Sequence, residues 1–80
     1  MHYAYLIESL SAQGRRYVGA SSDLKKRIRD HNSGNSAHTR KYVPWQLVTY
    51  IAFSSEPQVA NFERYLKSGS GHAFAKKRLW

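Results

Sequence analysis

Cysteine is absent from this 80-residue chain. That excludes disulfides and a thiolate zinc site, so packing alone must hold the fold. No apolar run approaches the roughly 18 residues of a membrane span. The opening MHYAYLIESL lacks the basic start and the long apolar stretch of a secretion signal, which makes the cytoplasm the expected location. Acidic residues are scarce: five Asp and Glu face thirteen Lys and Arg, leaving a formal charge of +8. A surplus of that size favours a polyanionic partner through counterion release, so nucleic acid is the expected ligand. There is no internal repeat, no low-complexity linker, no Gly-rich phosphate loop and no Ser/His/Asp constellation. His2, His38 and His72 have neither metal-ligand spacing nor cysteine neighbours, which argues further against zinc.

Hydrophobic residues make up 41% of the chain and aromatic residues 14%, enough for one small core, and residues 1–80 read as a single domain. HYAYLIE, residues 2–8, alternates as a strand, with Tyr3, Tyr5 and Ile7 on one face and Ala4 and Leu6 on the other. Arg16-Tyr17-Val18 predicts a second, short strand, close enough to pair with the first as a hairpin. Ser21 or Ser22 is expected to cap a helix with Asp23 in its first turn. On that helix Leu24 and Ile28 form the core stripe, and Arg27 and His31, also one turn apart, form its edge. Asn32-Ser33-Gly34 ends it, and a polar loop occupies residues 33–44.

WQLVTYIAF, residues 45–53, is nearly all apolar and reads as a central strand covered on both faces. Ser55 and Gln58 resemble a capping box that opens a helix reaching about Lys67. Ser68-Gly69-Ser70-Gly71 breaks it, and a short basic helix is expected over 72–79. The order β-β-α-β-α-α predicts an α+β fold, a small three-stranded antiparallel sheet flanked by helices.

Glu63 is the most informative residue. Val59, Phe62 and Leu66 form an apolar helical stripe, and Glu63 fills its i+4 slot. A carboxylate there needs a partner, because burying it unpaired costs several kcal/mol. Arg64, Lys67 or Arg27 could supply one; so could a hard divalent cation held by one carboxylate, waters and a substrate phosphate. Tyr5 and Tyr17 lie on neighbouring strands, where packing is the ordinary role of tyrosine. Beside Arg27, His31 and Glu63 their phenols become candidates for proton transfer. Arg27 can hold a phosphate by two hydrogen bonds. His31 could donate to phosphate, relay a proton or pack. Lys25, Lys26, Arg29, Arg40, Lys41, Lys67, Lys76 and Lys77 are candidate phosphate contacts, alternatively a solvated face. Trp45 is expected to pack rather than to stack on a base.

YAY (Tyr3–Tyr5), YVG (Tyr17–Gly19), Leu24-x-x-Arg27, His31 and Glu63 occur in that order. The set resembles the GIY-YIG nuclease superfamily, in particular its short stand-alone members, and the resemblance runs from Tyr3 to about Leu79. It implies a metal-dependent endonuclease that hydrolyses phosphodiester bonds in DNA, with repair or processing of branched or damaged DNA as its setting. Tyr5 and Tyr17 would be the tyrosines of the two motifs, Arg27 the helix arginine, His31 its neighbour, and Glu63 the ligand of Mg²⁺ or Mn²⁺. Two positions depart from the pattern. Tyr3 replaces the opening glycine, as in the short members, and Ala20 stands where some relatives carry a lysine. A non-catalytic DNA- or RNA-binding module and a protein-interaction adaptor are the alternatives.

Overall fold

The computed structural model describes all 80 residues, as three strands and three α-helices. The strands are β1 (His2–Ser9), β2 (Arg16–Ser21) and β3 (Trp45–Phe53). The helices are α1 (Leu24–Asn32), α2 (Glu56–Leu66) and α3 (Gly69–Arg78). The sheet is antiparallel throughout, in the order β2-β1-β3, so the expected β-β-α-β-α-α fold is present. Tyr5 stands opposite Gly19 on β2 and Tyr50 on β3, and Ile7 stands opposite Tyr17.

The alternation along β1 divides the core. Tyr5, Ile7 and Trp45 pack with Tyr17, Leu24, Ile28 and Tyr42 on the α1 face. Leu6, Leu66 and Ala75 pack with Val18, Phe62 and Leu79 on the face covered by α2 and α3. Leu6, Ile7 and Leu66 are fully buried, each such side chain contributing about 1.5–3 kcal/mol. Where α3 turns back over α2, a Cβ on residue 71 would fall on the Tyr65 carbonyl oxygen, so Gly71 is what allows the two helices to approach.

Four local expectations change. The central strand is β1, not β3. Residues 4–7 of β1 are all buried, whereas Leu47 and Tyr50 on β3 are 38% and 52% exposed. The apolar run of β3 therefore marks strand propensity rather than double coverage. Strand β2 continues to Ser21, drawn out by its pairing with β1 as far as Tyr3. Asp23, not a serine, caps α1: its side chain accepts from the Lys26 N–H, and the Ser21 hydroxyl accepts from the Asp23 N–H. Helix α3 begins at Gly69, three residues earlier than expected, because Ser68 caps it by accepting from the Gly71 N–H. The capping box at Ser55 is present, with Ser55 Oγ accepting from the Gln58 N–H.

Candidate active site

Tyr5 leaves the middle of β1 and lays its ring over Gly19, its cross-strand neighbour. A Cβ on residue 19 would stand 2.5 Å from Cζ of Tyr5, so glycine alone admits the phenol. Beyond it the hydroxyl lies 2.7 Å from Nε2 of His31 and accepts from Nε of Arg27 at 3.3 Å. Both contacts follow from the one-turn spacing on α1, which sets Arg27 and His31 side by side. Nδ1 of His31 lies 2.6 Å from Oγ1 of Thr39.

One proton arrangement satisfies the whole chain. Arg27 donates to Tyr5, the phenol donates to Nε2, and the Nδ1–H donates to Thr39. It requires neutral imidazole and neutral phenol, and the surroundings favour both. Burial, reinforced by the Arg27 charge, lowers the pKa of His31 to about 4. Burial raises that of Tyr5, with Arg27 opposing. Tyr5 and His31 are 1% and 0% exposed, so they hold the site from beneath. Of the three roles open to His31, donation to a phosphate is closed by this burial.

Thr39 and Asn32 are site residues that sequence reasoning missed. Thr39 is fully buried, and its carbonyl accepts from Nε1 of Trp45 at 2.8 Å. Asn32 accepts from the backbone N–H of Trp45 and donates to its carbonyl. Together they fasten loop 33–44 and seat Trp45 in the core, as expected for that tryptophan. A threonine in a polar loop carries no signal of burial, so nothing in the sequence distinguished it.

Tyr17 is half-buried beside this chain, its ring 5.2 Å from that of His31 and 6.4 Å from that of Tyr5. Helix α2 covers the opposite face of the sheet, yet Glu63 on it and Lys67, its C-terminal cap, reach toward the free edge of β2. Lys67 Nζ lies 6.0 Å from the centre of the Tyr17 ring and donates to Oε2 of Glu63 at 3.1 Å. The Glu63 charge also acts on the Tyr5 phenol. Glu63 is half-buried on the wall of a cleft of about 330 Å³, shared with His2, Ala20 and Glu56. No three His, Asp or Glu side chains cluster anywhere, so an all-protein metal cage is not built. A single carboxylate that faces an open cleft and already holds an ammonium does fit a hard cation that keeps most of its waters.

The structure thus joins Tyr5, Tyr17, Arg27 and His31 on the α1 face of the sheet, and Lys67 links Glu63 to Tyr17 around the free edge of β2. Lys26 is tied to Asp30 at 3.0 Å. Lys25 and Arg29 lie on the other flank of α1, Arg40 and Lys41 on a 3₁₀ turn, and Lys77 in the last turn of α3. Lys76 lines a separate cleft with Arg16 and Trp80. These six cations are spread over exposed elements and do not converge on the phenols.

Comparison with known proteins matches both the sequence and the fold. Residues 1–77 match the GIY-YIG catalytic domain. A UPF0213 protein of Haloquadratum walsbyi is 34% identical over 68 residues, covering 84% of this chain and 74% of that one. A structure-specific endonuclease subunit SLX1 homolog of Giardia intestinalis is 32% identical over 65 residues, 76% of this chain but 18% of that protein. The solution structure of a UPF0213 protein from Bacillus halodurans superposes with a TM-score of 0.57 at 30% identity, covering 95% of this chain and 82% of that one. With nearly its whole length matched and its fold shared, the chain belongs to the GIY-YIG nuclease family.

Proposed function

We propose that this protein is a divalent-metal-dependent endonuclease that hydrolyses phosphodiester bonds in DNA, with Tyr17 as general base and Glu63 as metal ligand. The observation that carries the reading is the meeting of Tyr17 and Glu63 around Lys67, at the edge toward which Arg27 is held. Tyr17 is the partly exposed phenol of the pair and makes no hydrogen bond inside the chain, so its oxygen is open to the attacking water, whose proton it would take as the phenolate. Tyr5 is buried, neutral and engaged on both sides, which suits a residue that positions Arg27. That contact uses Nε of Arg27 and leaves its two terminal nitrogens for a phosphate. Glu63 would hold Mg²⁺ or Mn²⁺, which when bound supplies positive charge to the leaving oxygen.

The net charge of +8 supports nucleic acid as the substrate, and the likeness to an SLX1 homolog supports DNA of unusual structure. Processing of branched or damaged DNA in the cytoplasm is the setting we propose. The test is incubation with nicked, flapped, branched and single-stranded DNA, and with RNA, in Mg²⁺ or Mn²⁺ against chelator. Metal-dependent cleavage by the wild type and none by Glu63→Gln is the expected result. Salt-sensitive binding without cleavage would make the protein a non-catalytic nucleic-acid module instead.

A further inference from the structure

A concavity of about 670 Å³ lies on the flank of α1 that faces away from Tyr5 and Tyr17, between that helix and β3. Its apolar surface comes from Tyr3, Leu24, Ile28, Leu47 and Tyr50. Tyr3 meets Tyr50 edge-on, with ring centres 5.9 Å apart at 67°. Tyr50 is half-exposed and Leu47 more than a third exposed, so aromatic surface is left open. The lip carries Lys25 and Arg29. Neither has a carboxylate partner, since the three ion pairs of the chain use Arg16, Lys26 and Lys67. The one acid at the lip, Asp23, is occupied as the helix cap.

Open aromatic rings beside free cations match a ligand that has flat π faces and a repeating negative charge. A base pair within a duplex hides its faces against its neighbours, whereas an unpaired nucleotide exposes both. We propose that this groove binds an unpaired nucleotide segment of the substrate, with a base stacked on Tyr50 and flanking phosphates on Lys25 and Arg29. The inference rests on the nucleic-acid reading above and adds a second subsite to it. Helix α1 places the two subsites: Arg27 and His31 face the phenols on one flank, and Lys25 and Arg29 rim the groove on the other. With a helix diameter of about 10–12 Å between them, a strand bound at Arg27 reaches Tyr50 within a few nucleotides. The substrate class that follows is duplex with an unpaired stretch next to the cleaved bond.

The experiment uses the full chain carrying Glu63→Gln, so that nothing is cut. The probes are a blunt DNA duplex and the same duplex extended by a short oligothymidine tail, at fixed salt. The tail is expected to tighten binding about 5- to 150-fold, the range of stacking on one aromatic side chain. Tyr50→Ser is expected to abolish that gain and leave blunt-duplex affinity unchanged. Lys25→Gln with Arg29→Gln is expected to reduce the salt slope for the tailed probe by roughly 1.4. Tyr50 is half-exposed, so the variant should fold, and circular dichroism melts check this. Tyr3 and Tyr50 ring resonances should shift with the tailed probe and not with the blunt one. Equal affinity for the two probes, or a tail gain that survives Tyr50→Ser, overturns the proposal. So does concentration-dependent dimerisation that Tyr50→Ser abolishes, which would assign the groove to a second copy of the chain. Failure to bind either probe removes the nucleic-acid reading itself, and is distinguishable because the blunt duplex fails too.

Discussion

The Tyr5 hydroxyl and Nε2 of His31 stand 2.7 Å apart, with both side chains closed to solvent. The pair is stable only while the imidazole is neutral. Its pKa of about 4 lies below the unfolded value near 6.5. Between those values the unfolded chain binds the proton and the folded chain does not, so stability falls as pH drops from 6.5 to 4. The loss from His31 is expected to reach about 3 kcal/mol at pH 4. Urea denaturation of wild type and His31→Gln from pH 4 to 8 checks it: the pH dependence should be markedly smaller in the variant. Parallel pH profiles would show that His31 is not held neutral by the fold.

Tyr5→Phe and Tyr17→Phe should fail in opposite ways. Removing the Tyr5 hydroxyl leaves Nε2 of His31 buried without a partner, at a cost of about 1–3 kcal/mol. Tyr17 makes no hydrogen bond within the chain, so Tyr17→Phe should alter stability by less than about 0.5 kcal/mol. A general base contributes ~10²- to 10⁴-fold in rate, and single-turnover cleavage by Tyr17→Phe should fall by that amount. Thermal melts alongside the kinetics separate the two effects. Wild-type cleavage by Tyr17→Phe at every pH would remove it as the base.

Gly19→Ala should destabilise the protein by about 1–3 kcal/mol, the cost of forcing a methyl into a packed site. The clash is with the Tyr5 ring, so the effect should not add to that of Tyr5→Phe. A double-mutant cycle in urea measures the coupling, expected at 0.5 kcal/mol or more for groups in contact. An additive cycle would place the cost of the methyl elsewhere.

Binding to duplex DNA should weaken steeply with salt. A face this small makes on the order of three to five phosphate contacts, which gives a log–log slope of roughly −3 to −4. Arg27→Ala should weaken binding and lower cleavage together, since in the proposed site its terminal nitrogens would hold the phosphate. Anisotropy titrations at several salt concentrations give the slope. An affinity flat in salt would point to a protein-interaction adaptor.

Periodicity made β1, β2 and α1 legible, and with them the convergence of Tyr5, Arg27 and His31. Glu63 was legible as the polar misfit in an apolar helical stripe. What stayed hidden depended on contacts between distant segments. The apolar residues of β3 do not state that two of them face a groove. The burial of Thr39 is decided by His31 and Trp45, one on each side of its loop. The place of Lys67 beside Tyr17 needs the sheet edge to be narrow enough for a side chain of α2 to reach the ring on the other face, which no local pattern encodes. The start of α3 at Gly69 was masked because two glycines read as a break, and the value of Gly71 at a close helix crossing appears only when α2 is in place.

The Glu63–Lys67 contact has a bearing on the order in which ligands arrive. An ion pair of this kind, four residues apart and partly exposed, contributes only about 0.3–0.5 kcal/mol, so a divalent ion can displace the ammonium readily. Until it does, carboxylate and ammonium sum to zero. An approaching phosphate backbone therefore meets a zwitterion at this edge and not a bare negative charge. In the proposed site polynucleotide could settle first, and Glu63 would then hold the divalent ion while the Lys67 ammonium became free to meet the phosphate. Local charge would go from zero to +2 with the strand already in place.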